Sequence, residues 1–154
     1  MGKYLKKLKI EFVEGDFKNL VKGRVRQPKQ VFSVFSDLKD STRETLVGVY
    51  LTDIFEIASY EVLSIGGSHM TLAIPSEIFR SAILTNSRYF ILIHNHPSGN
   101  AEPSDADKDV MKMLKEQSSI MNCVMLDFII VGDDAYWSLH EAQRGEKVYA
   151  SVRD

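Results

Sequence analysis

A chain of 154 residues, 44% apolar and 26% charged, has the size and balance of one ordinary globular domain. No stretch approaches the ~20 apolar residues of a membrane helix, and the first residues lack the apolar core of a secretory signal, which predicts a cytoplasmic protein. The single cysteine, Cys123, excludes an internal disulfide; it fits a reducing compartment and, among apolar neighbours, a small buried hydrophobe.

The net charge of −2 is unevenly spread. Lys3, Lys6, Lys7, Lys9, Lys18, Lys22, Arg24, Arg26 and Lys29 outnumber Glu11, Glu14 and Asp16, while the chain beyond Lys29 is net acidic. Such an extension, residues 1–27, reads either as an edge hairpin with lysines on its wet face or as a basic arm for nucleic acid. Leu5, Leu8, Ile10, Phe12 and Val13 interleave with the lysines, which favours the hairpin. An exposed edge would also let two copies of the chain pair.

In chain order, residues 4–14 read as an extended element closed by Glu14-Gly15-Asp16. Pro28 opens a helix with a stripe of Val31, Phe32, Val34, Phe35 and Leu38, and Asp40-Ser41-Thr42 breaks it. Strands follow over 44–51 and 56–65, the second ending at the turn signal Gly66-Gly67. A short third strand is expected over 71–74. Pro75 then starts a helix with Ile78, Phe79, Ala82 and Ile83 on one face. Residues 88–93 form a buried strand, 104–118 a helix, 124–131 another buried strand, and 136–139 a last one reached through Gly132-Asp133-Asp134. Strands and helices alternate only in part. The expected fold is therefore α/β with a mixed sheet flanked by helices on both sides, in a single domain.

The chemistry concentrates where the 88–93 strand ends. His94 and His96 lie two apart, so their imidazoles project to the same side. The turn Pro97-Ser98-Gly99-Asn100 follows, with Gly99 permitting positive φ, and the next helix carries Asp107 in its first turn. Two imidazoles and a carboxylate make a three-ligand divalent metal site with one position open, as in catalytic zinc. Ser104 and Asp107 also read as a helix N-cap and its N3 partner. Capping alone leaves the paired histidines and the turn unexplained.

Other metal-site patterns do not fit. A metallo-β-lactamase-type site wants an Asp soon after the histidine pair, where Pro97 and Ser98 stand. A zinc deaminase needs a PCxxC ligand pair. The letters His94-Asn95-His96 spell the name of a nuclease motif whose members are spread along a ββα unit. Barrel hydrolases that open with an HxH pair need a far longer chain.

HxH, seven residues, then SxxD resembles the JAMM (MPN-plus) metalloprotease motif, matched here by His94, His96, Ser104 and Asp107. The longer string HNHPSG with PSxxD resembles the bacterial RadC family, once described as DNA-repair proteins, from about Pro28 to the C-terminus. The resemblance implies a cytidine-deaminase-like three-layer fold and a zinc metallopeptidase or isopeptidase. His94, His96 and Asp107 would bind zinc, and Ser104 would donate to the oxyanion. The zinc would lower the pKa of a bound water from about 15.7 to about 7. A non-ligand carboxylate must then move protons. In the family this is a Glu on an upstream strand, and Glu44, just before TLVGVYL, stands at the matching place. On residue chemistry alone Glu56, Glu61 and Glu77 compete with it.

The chain departs from the family where Pro75-Ser76-Glu77 replaces Pro-Arg-Glu and where Asp127-Phe128 replaces Asp-His, so no role is carried over to Ser76 or Phe128. Longer family members carry an N-terminal helix-hairpin-helix segment, for which residues 1–27 are too few. His69 and His140 have no ligand spacing to other residues and read as surface or packing residues, Tyr136 and Trp137 as core. The expected partner is a protein or peptide substrate. The alternative is a DNA-repair-associated accessory, or a nucleic-acid or protein-binding module, with a structural or vestigial metal site.

Overall fold

The computed structural model describes residue 21 and residues 23–66 and 73–145. The basic segment 4–14, Lys6, Lys7, Lys9 and His69 lie outside them.

Five strands form one mixed sheet in the order β2-β1-β3-β4-β5: β1 Thr45–Leu51, β2 Ile57–Ile65, β3 Tyr89–Asn95, β4 Val124–Val131 and β5 Tyr136–Ser138. Only β3 and β4 run parallel; the other neighbours are antiparallel. Helices α1 (Pro28–Val34), α2 (Pro75–Leu84), α3 (Asp105–Met121) and α4 (Leu139–Gln143) complete the set, with a 3-10 turn at Ser36–Asp40. Among the described residues no helix is long and apolar enough to cross a membrane.

Strand β1 is buried along its whole length, as a central strand covered on both faces must be. Its neighbour β3 reads as a continuous apolar run for the same reason, with Phe90, Leu92 and Ile93 fully buried. Burying each such side chain contributes about 1.5–3 kcal/mol. Alternation then divides the core in two. Leu46, Tyr50, Phe90, Leu92, Phe128 and Ile130 pack with Ile78 and Phe79 of α2 and Met111 and Leu114 of α3. Val47, Val49, Ile91, Ile93, Ile129 and Val131 pack with Val31 and Phe32 of α1. Helices thus cover both faces.

Several expectations are corrected. The helix at Pro28 ends at Val34, and the rest of the predicted stripe continues as the 3-10 turn. Ala73 and Ile74 are not strand, and Ile74 is the N-cap of α2; Thr71 lies outside the described residues. Ile83 is 64% exposed, because one residue beyond Ala82 is about 100° around the helix from the buried face. The predicted last strand stops at Ser138, whose hydroxyl caps α4 by accepting from Glu141 N. Cys123 is buried as expected, and its thiol is pushed up by that burial. Tyr136 is buried, Trp137 partly so, and His140 exposed.

Candidate metal centre

The centre lies where β3 ends and α3 begins. His94 shares its sheet face with Phe90 and Leu92, so strand alternation turns its imidazole toward α3. On α3 the buried residues are Asp107, Met111, Leu114 and Ser118, a helical stripe that starts with a carboxylate. The periodicity that docks α3 on the sheet therefore aims Asp107 at the histidines.

The helix start is fixed by a reciprocal cap. Ser104 Oγ accepts from Asp107 N at 3.1 Å, and Asp107 Oδ2 accepts from Ser104 N at 2.8 Å. Ser104 Oγ also donates to Asp107 Oδ2 at 2.6 Å.

The turn between strand and helix is pinned to β4. His96 N donates to Val131 O, Gly99 N to His96 O, and Asp133 N to Gly99 O. Gly99 adopts φ +77, as expected from its place in the turn. Gly132 allows the close approach, since a Cβ there would stand 2.5 Å from Gly99 O.

These elements bring His94, His96 and Asp107 together, with one ligand atom from each within 4.8 Å of the others. His94 Nε2 is 3.2 Å from Asp107 Oδ1, and His96 Nε2 is 3.2 Å from Asp107 Oδ2. Each imidazole thus meets a different oxygen of the same carboxylate, and the three groups stand close enough together that they could hold one cation. His94 Nε2 is buried and, despite its nearness to Oδ1, meets no hydrogen-bond partner. The His96 ring places Nδ1 2.7 Å from Asn100 O; donating there makes Nε2 the lone-pair nitrogen of the neutral ring, while the charged ring also donates from Nε2 to Asp107 Oδ2. Phe128 closes the inner wall, its ring edge-on to His94 at 5.3 Å.

Burial pushes the Asp107 carboxyl up, but the two imidazoles and the Ser104 hydroxyl outweigh it and hold the group well below the usual carboxylate range. His96 is raised above its ordinary value, chiefly by Asp107; burial opposes this, while the Asn100 carbonyl and the charges of Asp107 and Glu44 add to it. The set can hold a metal ion.

Of the four candidate glutamates, Glu44 is half-buried beside β1, just ahead of Thr45, and close enough for its charge to act on His96. Leu46 faces His94 across the β1–β3 ladder, whereas Glu56 adjoins the strand end where Leu51 pairs with Ile57. That is the opposite end of β1. Glu61 is bonded to Arg80 and to the Ser81 hydroxyl, and Glu77 pairs with Arg80. Asn95 and the Asn100 carbonyl are parts of the site that motif reading missed. Asn95 stood between the histidines in plain view, and a polar amide within a buried strand run was the available signal.

A mixed five-stranded sheet with helices on both faces and this ligand set at its edge is an α/β fold of the JAB/MPN kind. The RadC-like JAB domain matches residues 25–145, and the chain belongs to that family. Relatives include UPF0758 proteins of Pelodictyon phaeoclathratiforme, 37% identical over 120 residues (77% of this chain, 54% of the relative), and of Methanosarcina mazei, 34% over 121 residues (78% and 53%). A third, from Chlorobaculum parvum, is 32% identical over 126 residues (81% and 57%). The chain spans about half the length of the curated relatives it matches.

Proposed function

We propose that this domain is a zinc-dependent peptidase or isopeptidase. The observation that carries the reading is His94 Nε2, buried without a hydrogen-bond partner and converging with His96 Nε2 on the carboxylate of Asp107. A buried ring nitrogen left unpaired costs about 1–3 kcal/mol, which a bound cation would offset.

When bound, zinc would supply a Lewis-acidic charge and a water acidic enough to lose its proton near neutral pH. Glu44 would take that proton on its carboxylate and pass it to the leaving amine. Ser104 Oγ, which donates to Asp107 Oδ2, would turn its hydrogen toward the carbonyl oxygen of the scissile bond once the Asp107 carboxylate is engaged as a ligand. Losing one such donor typically costs about 100- to 1000-fold in rate. The substrate is a protein or peptide.

Metal analysis of the purified protein beside His96→Ala tests the centre: stoichiometric zinc in the first and none in the second is expected. Glu44→Gln should keep the zinc and lose about 100- to 10,000-fold in hydrolysis of linear and isopeptide-linked peptide libraries, read by mass spectrometry. A wild type that takes up no transition metal, or equal hydrolysis by Glu44→Gln, overturns the reading.

A further inference from the structure

We propose that Asn95 is a positioning residue that holds Glu44 beside the metal centre. This rests on the hydrolase reading above and deepens it.

Asn95 lies between the two ligand histidines, and strand alternation sends its side chain to the opposite face from His94. It is fully buried. At such a position in β3 an apolar residue is the ordinary choice, and a buried amide is costly unless it is hydrogen-bonded. All of its bonds go to one short segment. Asn95 Oδ1 accepts from Thr45 N at 2.8 Å, and Nδ2 donates to Arg43 O at 3.1 Å and Ser41 O at 3.3 Å. Both amide hydrogens and the oxygen are thereby used on residues 41–45. Glu44 is the residue between two of the three anchor points.

The location explains the need. The β1–β3 ladder ends with Leu46 opposite His94, two residues short of Glu44. From the β2 side Gly66 N donates to Glu44 O. On the β3 side, where regular strand pairing stops, the Asn95 amide continues it. One residue thus ties the proton-transfer group to the strand that carries His94 and leads directly into His96. A misplacement of about 1 Å in such a group can cost about 100-fold in rate.

Asn95→Asp keeps an acceptor for Thr45 N but loses both donors and sets a charge against two carbonyls. Asn95→Ser is the neutral companion should the first fail to fold. In the metal-free protein, NMR relaxation should show the amides of Arg43, Glu44 and Thr45 moving from rigid order parameters of about 0.85 to below about 0.6. Zinc stoichiometry should stay at the wild-type level. With zinc, kcat should fall about 10- to 100-fold with little change in KM, and Asn95→Ser added to Glu44→Gln should cost nothing further.

Three results overturn the proposal: residues 43–45 staying rigid in both variants, an undiminished effect on top of Glu44→Gln, or loss of zinc, which would place the action of Asn95 on the ligands. A wild type that binds no zinc sinks the hydrolase reading alone. The relaxation measurement on metal-free protein then decides whether Asn95 holds the Glu44 segment.

Discussion

Among the described residues two carboxylates, Asp107 and Asp127, are buried beside the sheet's inner strands, and their surroundings drive them in opposite directions. Asp107 is held low by two imidazoles and a hydroxyl. Asp127, on β4, accepts from Phe128 N at 2.8 Å, His140 N at 2.9 Å and Ser138 Oγ at 2.7 Å, yet burial pushes it up to about 6. Both accept several hydrogen bonds. What separates them is the direct partners: Asp107 faces two imidazoles, whereas the donors to Asp127 are two backbone amides and a hydroxyl, with the His140 charge the least of the lowering influences. At Asp127 the raising by burial outweighs the lowering by its donors, whereas at Asp107 the two imidazoles and the hydroxyl outweigh it. Asp107 is therefore arranged to remain an anion in a group that could hold a cation, and Asp127 to tie β4 to the cap of α4.

The contrast can be broken most forcefully with zinc. At free zinc about 1000-fold above its Kd, binding to the folded state adds about 4 kcal/mol, or about 8–16 °C in Tm for a chain of this size. Wild type and Asp127→Asn should both show that rise and Asp107→Asn should not. A thermal scan with and without metal decides it. Equal rises in all three would remove Asp107 from the site.

Acid sharpens it next. Between about 4 and 6 folded Asp127 holds more proton than the unfolded chain, so its contribution to stability falls as pH rises through that window. A shift from 3.8 to about 6 corresponds to at most about 3 kcal/mol. Asp107 has the opposite sign, its contribution present above about 4 and lost on acidification. Denaturant titrations of wild type and Asp127→Asn isolate the Asp127 part: wild type should gain on the variant as pH drops from 7 to about 4. Parallel profiles would contradict the raised value.

The smallest expected effect is at the cap. Ser104→Ala removes the acceptor for Asp107 N and should cost about 1 kcal/mol of metal-free stability. Urea unfolding measures it, and an unchanged midpoint would show that the cap contributes nothing.

The grouping of His94, His96 and Asp107 was legible in the sequence because it is local. His94, His96, Ser104 and Asp107 fall within one strand, turn and helix start, where the two-residue and helical periods fix direction. The nearness of Glu44 to His96 left no local trace in the sequence, since it comes from antiparallel pairing with a strand about 50 residues away. The bonds from Asn95 span the same separation and leave no periodic trace. Helix α4 is too short for an amphipathic pattern, although Ser138 and Glu141 three residues on were a capping signal. Ile83 went wrong because the apolar pattern continued around α2 past the face that touches the sheet.

The three ligands come from a single strand-turn-helix passage, whereas Glu44 arrives from a neighbouring antiparallel strand. On the hydrolase reading proposed above, capturing an ion and performing hydrolysis would fall to separate stretches of chain. A descendant that drifted at residue 44 would, on that reading, keep its grip on the ion and live on as a binding scaffold without the cutting step.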